Sequence, residues 1–344
     1  MCTYKKNVIN IRYKFIDDKD KIKKTLNFIN LRNTLTKKIA EIKWKSTLYR
    51  HSADYAVKLC VEMFKSCYTN YTEGNINSFN VKSLSSERRR QYIVLEPQNF
   101  KNNSFAFKTM KEIESSKEIN DMKIKHNVIL QYDKVNKTYF LLVPTDIKIN
   151  ENLKRNKKCG INVGYRTFIA LISENKCIEI GSNICNHIYK RNKRIDKLNS
   201  LKDTNKIKNR QYKSKTNKLR SKLANKIEDL HKKTANFLFK NFETINIGKL
   251  STKSMVSNLT GNIKEITKRR LFALKHYKFR DYLKLNCKKY NTKVNEVSEY
   301  MTSKTCSSCK NIKKDLGANK VYNCDKCKLV IDRDINASIN ILKI

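Results

Sequence analysis

Two pairs of cysteines near the C-terminus constrain the fold of this chain more than any other feature of its sequence. Cys306 and Cys309 form one CxxC pair, Cys324 and Cys327 form another, and fourteen residues separate the pairs. Such pairs can present four thiolates to one tetrahedral Zn²⁺. The spacing predicts a zinc ribbon over residues 302–331. Two disulfides, or four unrelated core thiols, are the alternative.

The other seven cysteines are scattered without paired spacing, which indicates free thiols and a reducing compartment. The N-terminal residues 1–13 are polar and charged, and no long apolar run occurs in the chain. We therefore expect no secretory signal and no membrane span, and an intracellular location in the cytoplasm or nucleus. The seven residues are Cys2, Cys60, Cys67, Cys159, Cys177, Cys185 and Cys287.

The charge of the chain is strongly positive. Seventy-five Lys and Arg residues stand against 31 Asp and Glu, which gives a formal net charge of +44. A charge of this size attracts polyanions, so nucleic acid is the expected partner, with an affinity that falls steeply as salt is raised. An A/T-rich coding genome is the alternative explanation for the abundance of Lys, but the charge is present in either case.

The first part of the chain changes from a helical to a strand pattern. Apolar residues at spacings of three and four predict helices over about residues 21–71. Short β-rich runs separated by polar turns follow between residues 80 and 144. We therefore expect a small antiparallel sheet or barrel together with a helical segment.

Residues 151–344 begin as strands and continue as basic helices. A hairpin of strands spans residues 159–180, with a tight turn near Asn162. Two very basic helices over about residues 188–239, joined near Asp203, come next. Because few acidic residues are available for i,i+4 pairing, we expect these helices to face phosphates; a merely solvated surface is the alternative.

The last part of the chain completes an α/β module. The pattern predicts a strand at 244–250, an amphipathic helix at 264–287, a strand at 292–299 and, after the ribbon, a final helix from Asp334. The acidic residues stand at strand ends, which is the usual place for a site in such sheets. We therefore expect the chemistry at these strand ends.

Four segments of the chain resemble successive RuvC and zinc-ribbon motifs of the TnpB family. This family consists of transposon-encoded RNA-guided DNA nucleases, also called OrfB, with a eukaryotic and viral branch called Fanzor and descendants among the type V CRISPR effectors. The resemblance covers residues 155–344, and a weaker one covers 49–144. The segments are Gly160-Ile-Asn-Val-Gly-Tyr-Arg-Thr167, Ile247-Gly-Lys-Leu-Ser-Thr252, Glu296 to Cys309, and Asp332-Arg-Asp-Ile-Asn-Ala-Ser338.

The resemblance implies a particular α/β architecture. Residues 151–344 would form an RNase H-like (RuvC) nuclease domain containing the zinc ribbon at 302–331. Residues 1–150 would form a small wedge-type β-barrel with a helical recognition segment at about 21–71. The implied partners are a guide RNA and a target DNA. The implied cofactors are one structural Zn²⁺ and, if the protein is active, catalytic Mg²⁺.

The resemblance also implies three catalytic positions, and only one matches the family plainly. The family uses an Asp on the first strand, a Glu on a middle strand and an Asp at the start of the last helix, which here is Asp334. Asn162 stands where the first Asp belongs, and its carboxamide offers one neutral oxygen instead of a charged group. Gly248 stands where the Glu belongs. Part of the family has this Glu on a downstream strand, where Glu296 is our first choice and Glu299 our second.

Each of the three candidate catalytic residues has a structural alternative. Asp334 would otherwise cap the final helix, Asn162 would be a turn former beside Gly164, and Glu296 would be a solvated strand residue. These alternatives make no use of a metal ion.

The sequence therefore supports three hypotheses of function. The first is RNA-guided DNA binding of TnpB or Fanzor type, with metal-dependent DNA endonuclease activity that is weakened or lost because of Asn162. The second is a nuclease-dead DNA- and RNA-binding zinc-ribbon protein. The third is a basic zinc-ribbon protein of ribosomal or transcriptional type, which needs no acidic cluster.

Overall fold

The computed structural model describes residues 27–29, 32–33, 50–79, 88–101, 104–105, 124–146, 155–174, 176–256, 263–313, 315–317 and 319–344. The chain divides into two compact units, residues 1–146 and 147–344. Each unit has its own buried apolar core.

The first unit combines a helix with a small antiparallel sheet. The sheet has the order β1-β4-β5, and β2 pairs separately with β3. Leu95 and Val128, which pair at one end of β1 and β4, are fully buried in its core. A buried carboxylate, Asp133, is held by the guanidinium of Arg89 at 2.8 Å. The elements are α1 (Arg50–Thr72), β1 (Arg90–Leu95), β2 (Phe100–Lys101), β3 (Ser104–Phe105), β4 (Val128–Asp133) and β5 (Thr138–Leu142).

Part of the predicted N-terminal organisation lies within the described residues. The helix α1 falls in the segment predicted to be helical, and the antiparallel sheet falls where β-rich runs were predicted. Most of the predicted helical segment before residue 50 lies outside the described residues. The wedge-type barrel and its recognition role stay predictions.

The second unit is built from a five-stranded sheet, helices on both of its faces, and a small two-stranded sheet. Its strands are β6 (Asn156–Val163), β7 (Ile169–Ser173), β8 (Lys176–Ile180), β9 (Phe242–Gly248), β10 (Lys293–Val297), β11 (Val321–Asn323) and β12 (Val330–Asp332). Its helices are α2 (Ile184–Asp203), α3 (Asn209–Asn241), α4 (Thr252–Val256), α5 (Glu265–Leu274), α6 (His276–Asn286) and α7 (Arg333–Lys343).

The five-stranded sheet has the order β10-β9-β6-β7-β8. The first three strands in chain order, β6, β7 and β8, form an antiparallel meander, while β9 runs parallel to β6 and β10 parallel to β9. Residues at equal levels of paired strands share a face. Gly160 is therefore on the same face as Asn246 and Asn295, and Ile161 is on the same face as Ile247 and Glu296.

Helix α7 packs closely against the first of these two faces. A Cβ atom at Gly160 would lie 2.7 Å from the Cβ of Leu342, so only glycine admits the helix this close. Ser338 Oγ donates to the carbonyl of Ala170 at 2.9 Å, and the Asn246 side chain donates to the carbonyl of Ile341 at 3.2 Å. These contacts fix the helix that carries Asp334.

The opposite face carries the main core, which involves α2, α3, α5 and α6. Phe168 is fully buried there between two imidazoles, with ring centroids 5.1 Å from His231 and 5.4 Å from His276. Burial lowers the pKa of His276 to about 4, so this histidine is neutral at neutral pH. Its Nε2 contacts the carbonyl of Gly164 at 3.0 Å, which ties the start of α6 to the turn after β6.

The helices of the second unit follow the sequence pattern except at one break and at the short helix α4, for which no helix was predicted. Two helices, α2 and α3, meet after Asp203 as predicted. The single helix predicted over 264–287 is wrong, because Lys275 takes a left-handed conformation with φ 51° and separates α5 from α6. No helix in the described part of the chain is both long enough and apolar enough to cross a membrane.

Candidate functional site

Asn162 lies within strand β6 and contacts Asp334. It pairs with Ala170 of β7, and the turn comes later, where the N–H of Gly164 donates to the carbonyl of Phe168 at 3.2 Å. The tight turn predicted near Asn162 therefore begins two residues later, at Gly164, since the strand continues to Val163. The Asn162 Nδ2 atom donates to Asp334 Oδ1 at 3.3 Å.

Asp334 stands in the first turn of α7 without capping the helix. The cap is Asp332, whose Oδ1 accepts from the N–H of Asp334 at 2.8 Å and from that of Ile335 at 3.3 Å. Burial, and then the negative charge of Asp332, raise the pKa of Asp334. A carboxylate at which negative charge is unfavourable is a suitable place for a cation.

Glu296 is not brought to Asn162 and Asp334. The strand register places it on the opposite face of the sheet from Asn162, level with Ile247 and Ile161. Its carboxylate accepts from Arg280 Nε at 3.1 Å and from Lys284 Nζ at 2.9 Å. Partial burial acts to raise its pKa, but the contacts with Lys284 and Arg280 prevail and lower it. Two cations therefore already neutralise Glu296.

Glu299 lies beside the residue that replaces the family's middle glutamate. A Cβ atom at Gly248 would lie 2.7 Å from the Cγ and 2.8 Å from the Cδ of Glu299, and nearer still to its Oε1. The Glu299 carboxylate thus occupies the space that a side chain at position 248 would take. The backbone supports this arrangement, because the N–H of Lys249 donates to the carbonyl of Val297 at 2.8 Å.

The Glu299 carboxylate is buried and lacks a hydrogen-bond partner among the described residues for one of its oxygens, Oε1. Burial raises the pKa of Glu299 to about 7, against a smaller lowering effect of the Arg280 charge. Ile161 pairs with Ile247 on the neighbouring parallel strand, so the next residues, Asn162 and Gly248, lie level with each other. Asn162 and Asp334 are in contact, and Glu299 adjoins Gly248 on the same face of the sheet, without a hydrogen bond to either of them. We call these three residues the carboxylate site.

The donor atoms of the carboxylate site fit a hard divalent cation. Two carboxylates and, after rotation of the amide, the Oδ1 of Asn162 are oxygen ligands of the kind that Mg²⁺ prefers. Mg²⁺ commonly uses one or two protein carboxylates and completes its shell with water and substrate phosphate. The residues therefore fit one Mg²⁺, and the missing charge at position 162 leaves a second ion less well held.

The four cysteines of the predicted ribbon come together in one cluster. Their Sγ atoms all lie within 4.8 Å of one another. The Sγ of Cys306 is 3.6 Å from that of Cys327, and the Sγ of Cys309 is 3.5 Å from that of Cys324. These distances are far longer than a disulfide bond of about 2.05 Å. They are close to the edge of about 3.8 Å expected for tetrahedral Zn²⁺ with Zn–S bonds of about 2.3 Å.

The cysteine cluster is prepared for a cation and is anchored to α7. The backbone N–H groups of Cys327 and Lys326 help to lower the pKa of Cys324 to about 6, which favours its thiolate. Asn336 of α7 accepts from the N–H of Ser307 at 2.9 Å and donates to the carbonyl of Thr305 at 2.8 Å. The thiol cluster can hold a metal ion such as Zn²⁺, and the ribbon is bonded to the helix that carries Asp334.

Helices α2 and α3 present the predicted basic surface. Most of their Lys and Arg side chains are exposed. Among the described residues, the ion pairs within α3 are two i,i+4 pairs, Glu228–Lys232 and Asp229–Lys233. Arg269 of α5 pairs with Asp196 of α2 at 2.8 Å. The exposed basic residues of α3 are Arg210, Lys213, Lys215, Lys218, Arg220, Lys222, Lys226, Lys232, Lys233 and Lys240.

Family models match two segments of the chain. A model described as a probable transposase, OrfB_IS605, matches residues 130–259, and a model of the Cas12f1-like TNB domain matches residues 276–341. A TnpB-like protein of Acanthamoeba polyphaga mimivirus is 39% identical over 335 residues, which cover 94% of this chain and 63% of that protein. The chain belongs to the TnpB family.

Other relatives agree with this assignment. A second TnpB-like protein of the same virus is 39% identical over 94% of this chain and 62% of its own length. A putative transposase of that virus is 30% identical over 91% of this chain and 66% of its own length. This TnpB-family chain therefore spans about three-fifths to two-thirds of the length of these three relatives. A Cas12f1 protein solved with sgRNA and target DNA is 20% identical, with a TM-score of 0.45, and the match covers 63% of this chain and 45% of that protein.

Glu296 was the first choice from the sequence for the glutamate that Gly248 lacks, but in this TnpB-family chain the second choice, Glu299, lies nearer to Gly248. Glu299 adjoins Gly248, whereas Glu296 faces Arg280 and Lys284. Sequence reasoning also missed Asn340, which donates to the carbonyls of Thr302 and Thr305 and so joins α7 to the ribbon. The signal for Glu299 was the glycine itself, because a glycine in a strand often marks a close approach by another group.

The contact between Gly248 and Glu299 predicts the effect of a single methyl group. Carbon atoms pack at about 3.5–4.0 Å, so Gly248→Ala must displace the Glu299 carboxylate. We expect Mn²⁺ affinity at the carboxylate site to fall at least roughly tenfold. The free energy of unfolding should fall by about 1–3 kcal/mol. Isothermal titration calorimetry and urea unfolding measure the two quantities.

A double variant separates this contact from the general effect of alanine in a strand. Without Glu299 the clash is absent, so Gly248→Ala should be neutral or stabilising in a Glu299→Ala background, because glycine weakens a strand. Lys249→Ala, an exposed neighbour, serves as the control and should leave both quantities unchanged. Equal effects of Gly248→Ala in the two backgrounds would contradict the placement of Glu299.

Proposed function

We propose that this TnpB-family chain is an RNA-guided DNA-binding protein whose RNase H-like domain carries a weakened, metal-dependent DNA endonuclease site. The sheet order β10-β9-β6-β7-β8, with an antiparallel meander followed by two parallel strands, supports the RNase H-like part of this proposal. The contact between Asn162 and Asp334 is the observation that carries the proposal, because it joins the first strand to the last helix at one site.

Asp334 and Glu299 would hold Mg²⁺ through carboxylate oxygens, with Asn162 as a neutral third ligand. When bound, Mg²⁺ polarises a phosphodiester and lowers the pKa of a bound water. The chain's own residues orient this site: Asp332 fixes the first turn of α7, and Gly248 leaves room for the Glu299 carboxylate. Glu296 would serve as a counter-ion of Arg280 and Lys284 instead of a ligand.

The four-cysteine cluster would hold one structural Zn²⁺. Four sulfur ligands and no free position are typical of a structural zinc site and not of a catalytic one. The bonds from Asn336 and Asn340 to the ribbon give the zinc a role in holding α7, and with it Asp334.

Guide RNA and target DNA are the proposed partners. The net charge of +44 and the exposed Lys and Arg residues of α2 and α3 suit contacts with nucleic-acid backbones. In guided effectors the base pairing of the RNA reads the sequence, while the protein holds the heteroduplex through its backbone. The relatives' names, TnpB-like protein and putative transposase, agree with this class of partner.

A nuclease-dead binding protein is the second candidate, and the orientation of Asn162 favours it. The amide donates a hydrogen bond to Asp334, so it stabilises that carboxylate without a metal ion. A chain of this kind would keep the basic surface and the ribbon and would bind DNA without hydrolysing it.

Copurified RNA and metal-dependent cleavage test the proposal together. We expect sequencing of the RNA bound to the purified chain to give one discrete species. Excess chain with that RNA should cut a matching DNA duplex slowly in Mn²⁺, and Asp334→Asn should abolish the cut while RNA binding is retained. Glu299→Gln should act like Asp334→Asn, and Glu296→Gln should not.

Three outcomes separate the candidates. A discrete RNA without any cleavage supports the nuclease-dead protein. Heterogeneous RNA contradicts guided binding in either form. Loss of cleavage by Glu296→Gln, but not by Glu299→Gln, contradicts the ligand set proposed for the carboxylate site.

A further inference from the structure

A cleft of about 420 Å³ lies between helices α2, α3 and α5 of the second unit. Its lining residues are spaced three or four apart along each helix, as Asn192, Ile195 and Asn199 are on α2, so each helix presents one face to it. The lining includes no residue of the carboxylate site or of the cysteine cluster. The volume is within the range of pockets that enclose small molecules, so the cleft has room for one flat heterocycle.

Two features keep this cleft open. Small side chains, those of Ala224 on α3 and Ala273 on α5, line it where larger ones would fill it. The guanidinium of Arg269 on α5 donates to the carboxylate of Asp196 on α2 through two parallel hydrogen bonds, of 2.8 Å from Nη1 and 2.9 Å from Nη2. A bidentate pair of this kind fixes both distance and orientation, so α2 and α5 are held at a set separation.

The lining combines an apolar wall with hydrogen-bonding groups. Ile195 and Leu223 supply much of the apolar part. The Tyr212 hydroxyl donates to Asn199 Oδ1 at 2.8 Å, which fixes the amide and leaves its two N–H donors for another acceptor. Glu265 adds a carboxylate, which accepts hydrogen bonds but repels a phosphate. A nucleobase, which is flat and has both donors and acceptors, suits this lining better than a phosphate does.

Cations at the cleft suit the phosphates on either side of such a base. Arg220 and Lys275 line the cleft and are exposed. Residues 209–226 of α3 contain several Lys and Arg and no Asp or Glu, so this part of the helix attracts a nucleic-acid strand. Lys275 also has the left-handed conformation, with φ 51°, and residues held in this way often lie at ligand sites.

We propose that this cleft binds one unpaired base of a single-stranded segment of nucleic acid, while Arg220 and Lys275 contact the flanking phosphates. This inference rests on the nucleic-acid binding of the proposed function and is independent of the carboxylate site. The bases of a duplex are paired and stacked, whereas those of a single strand can be splayed out into a pocket. The cleft therefore adds affinity for unpaired strands that positive charge alone does not supply.

Binding of short strands to the full chain, freed of its own nucleic acid by high salt, tests this site. The probes are RNA and DNA strands of about 16 nucleotides that contain all four bases, each used alone and annealed to its complement. Fluorescence anisotropy at one fixed moderate salt concentration gives the affinities, because salt alone changes them strongly.

Filling the cleft without changing its charge separates base binding from attraction by the basic surface. We expect Ala224→Leu to weaken binding of the single strand at least roughly fivefold and to leave duplex binding within about twofold of the unmodified chain. Asn225→Leu is the matched control, because it adds the same side chain at the next, exposed position of α3, outside the lining. It should change neither affinity.

A pair of charge variants keeps the test valid if thermal unfolding shows that Ala224→Leu does not fold. Arg220→Gln removes a cation that lines the cleft, and Lys222→Gln removes an exposed cation of α3 that does not. Both should weaken duplex binding to a similar extent. Arg220→Gln should weaken single-strand binding at least roughly threefold more than Lys222→Gln does.

The outcomes distinguish this inference from the proposed function. If Ala224→Leu, or Arg220→Gln where the former does not fold, selectively weakens binding of the RNA or the DNA single strand, the inference holds. If these variants weaken single strands and duplexes alike, or neither, the cleft takes no base although nucleic-acid binding stands. If the unmodified chain binds neither form, the partner class of the proposed function is itself overturned.

Discussion

Replacing Cys324 by serine should remove zinc from the protein and unfold the ribbon. The unmodified chain should contain about one zinc ion, and Cys324→Ser much less than one. The reason is the small size of the ribbon's core, which among the described residues centres on Leu316, Tyr322 and the cysteines themselves. A core of this size cannot stabilise the fold, so the metal must supply the free energy, about 10–16 kcal/mol in zinc-finger peptides.

The effect should extend beyond the ribbon to a site that contains no cysteine. Asn336 and Asn340 bond α7 to the ribbon backbone, and α7 carries Asp334. Loss of zinc should therefore loosen α7 and weaken Mn²⁺ binding at the carboxylate site by tenfold or more. Zinc content by mass spectrometry, proteolysis within residues 302–331 and Mn²⁺ titration measure the three effects.

An exposed cysteine outside the cluster provides the control for this prediction. Cys177→Ser should leave zinc content, proteolysis and Mn²⁺ affinity unchanged, because Cys177 lies on β8 and takes no part in the cysteine cluster. Full zinc occupancy in Cys324→Ser would show that the four thiols do not form the binding site. Normal Mn²⁺ binding in a zinc-free chain would show that the two sites are independent.

The cysteine cluster was predictable because its evidence is local. Two CxxC pairs specify the four ligands whatever the surrounding fold, and the structure gathers the thiols as the spacing predicts. Asn162 and Asp334 were identified through their motifs, and the fold joins them. The helix cap was placed two residues too late, because the sequence offered Asp334 and the structure uses Asp332, whose side chain accepts from the first free N–H groups.

The choice between Glu296 and Glu299 depends on the register with which strand β10 pairs with β9. Within a strand, side chains alternate between faces, and this rule puts Glu296 on the face opposite Asn162. Glu299, two residues beyond the last strand residue Val297, keeps the face of Val297, which pairs with Gly248, and its carboxylate lies beside Gly248. A shift of one residue in the pairing of β10 would exchange the faces of the two glutamates, and no local signal in the sequence fixes that pairing.

The break between α5 and α6 has a similar cause. The apolar spacing continues through the break, and Lys275 is not a residue that commonly takes a left-handed conformation. Tertiary contacts on either side hold it there, since His231 contacts the carbonyl of Leu274 at 2.9 Å and His276 contacts that of Gly164. No local signal in the sequence reports contacts between residues so distant in the chain.

Restoring the carboxylate at position 162 should change the stability of the protein in opposite directions with and without metal. In Asn162→Asp the hydrogen bond to Asp334 is replaced by two carboxylates about 3 Å apart, which cannot both be ionised easily. Without divalent metal, we expect the melting temperature at neutral pH to fall below that of the unmodified chain. With Mn²⁺, the added charge should raise the melting temperature of Asn162→Asp above that of the unmodified chain, because the metal binds only the folded site.

Cleavage should follow the same substitution if the proposed function is correct. A third carboxylate lets the site hold two cations, and we expect Asn162→Asp to increase the cleavage rate on the order of 100-fold, equivalent to about 2.7 kcal/mol. Calorimetry with EDTA or Mn²⁺, and cleavage with the copurified RNA, measure the two effects.

The double variant Asn162→Asp/Asp334→Asn tests the origin of the stability change. It has one carboxylate and one amide, as the unmodified chain does, with their positions exchanged. Its melting temperature without metal should therefore return toward that of the unmodified chain. Asn162→Ala loses the hydrogen bond to Asp334, and Mn²⁺ should raise its melting temperature no more than it raises that of the unmodified chain. If Mn²⁺ raises the melting temperature of Asn162→Asp no more than it raises that of the unmodified chain, position 162 is not a metal ligand, and the loss of the family's aspartate does not explain weak cleavage.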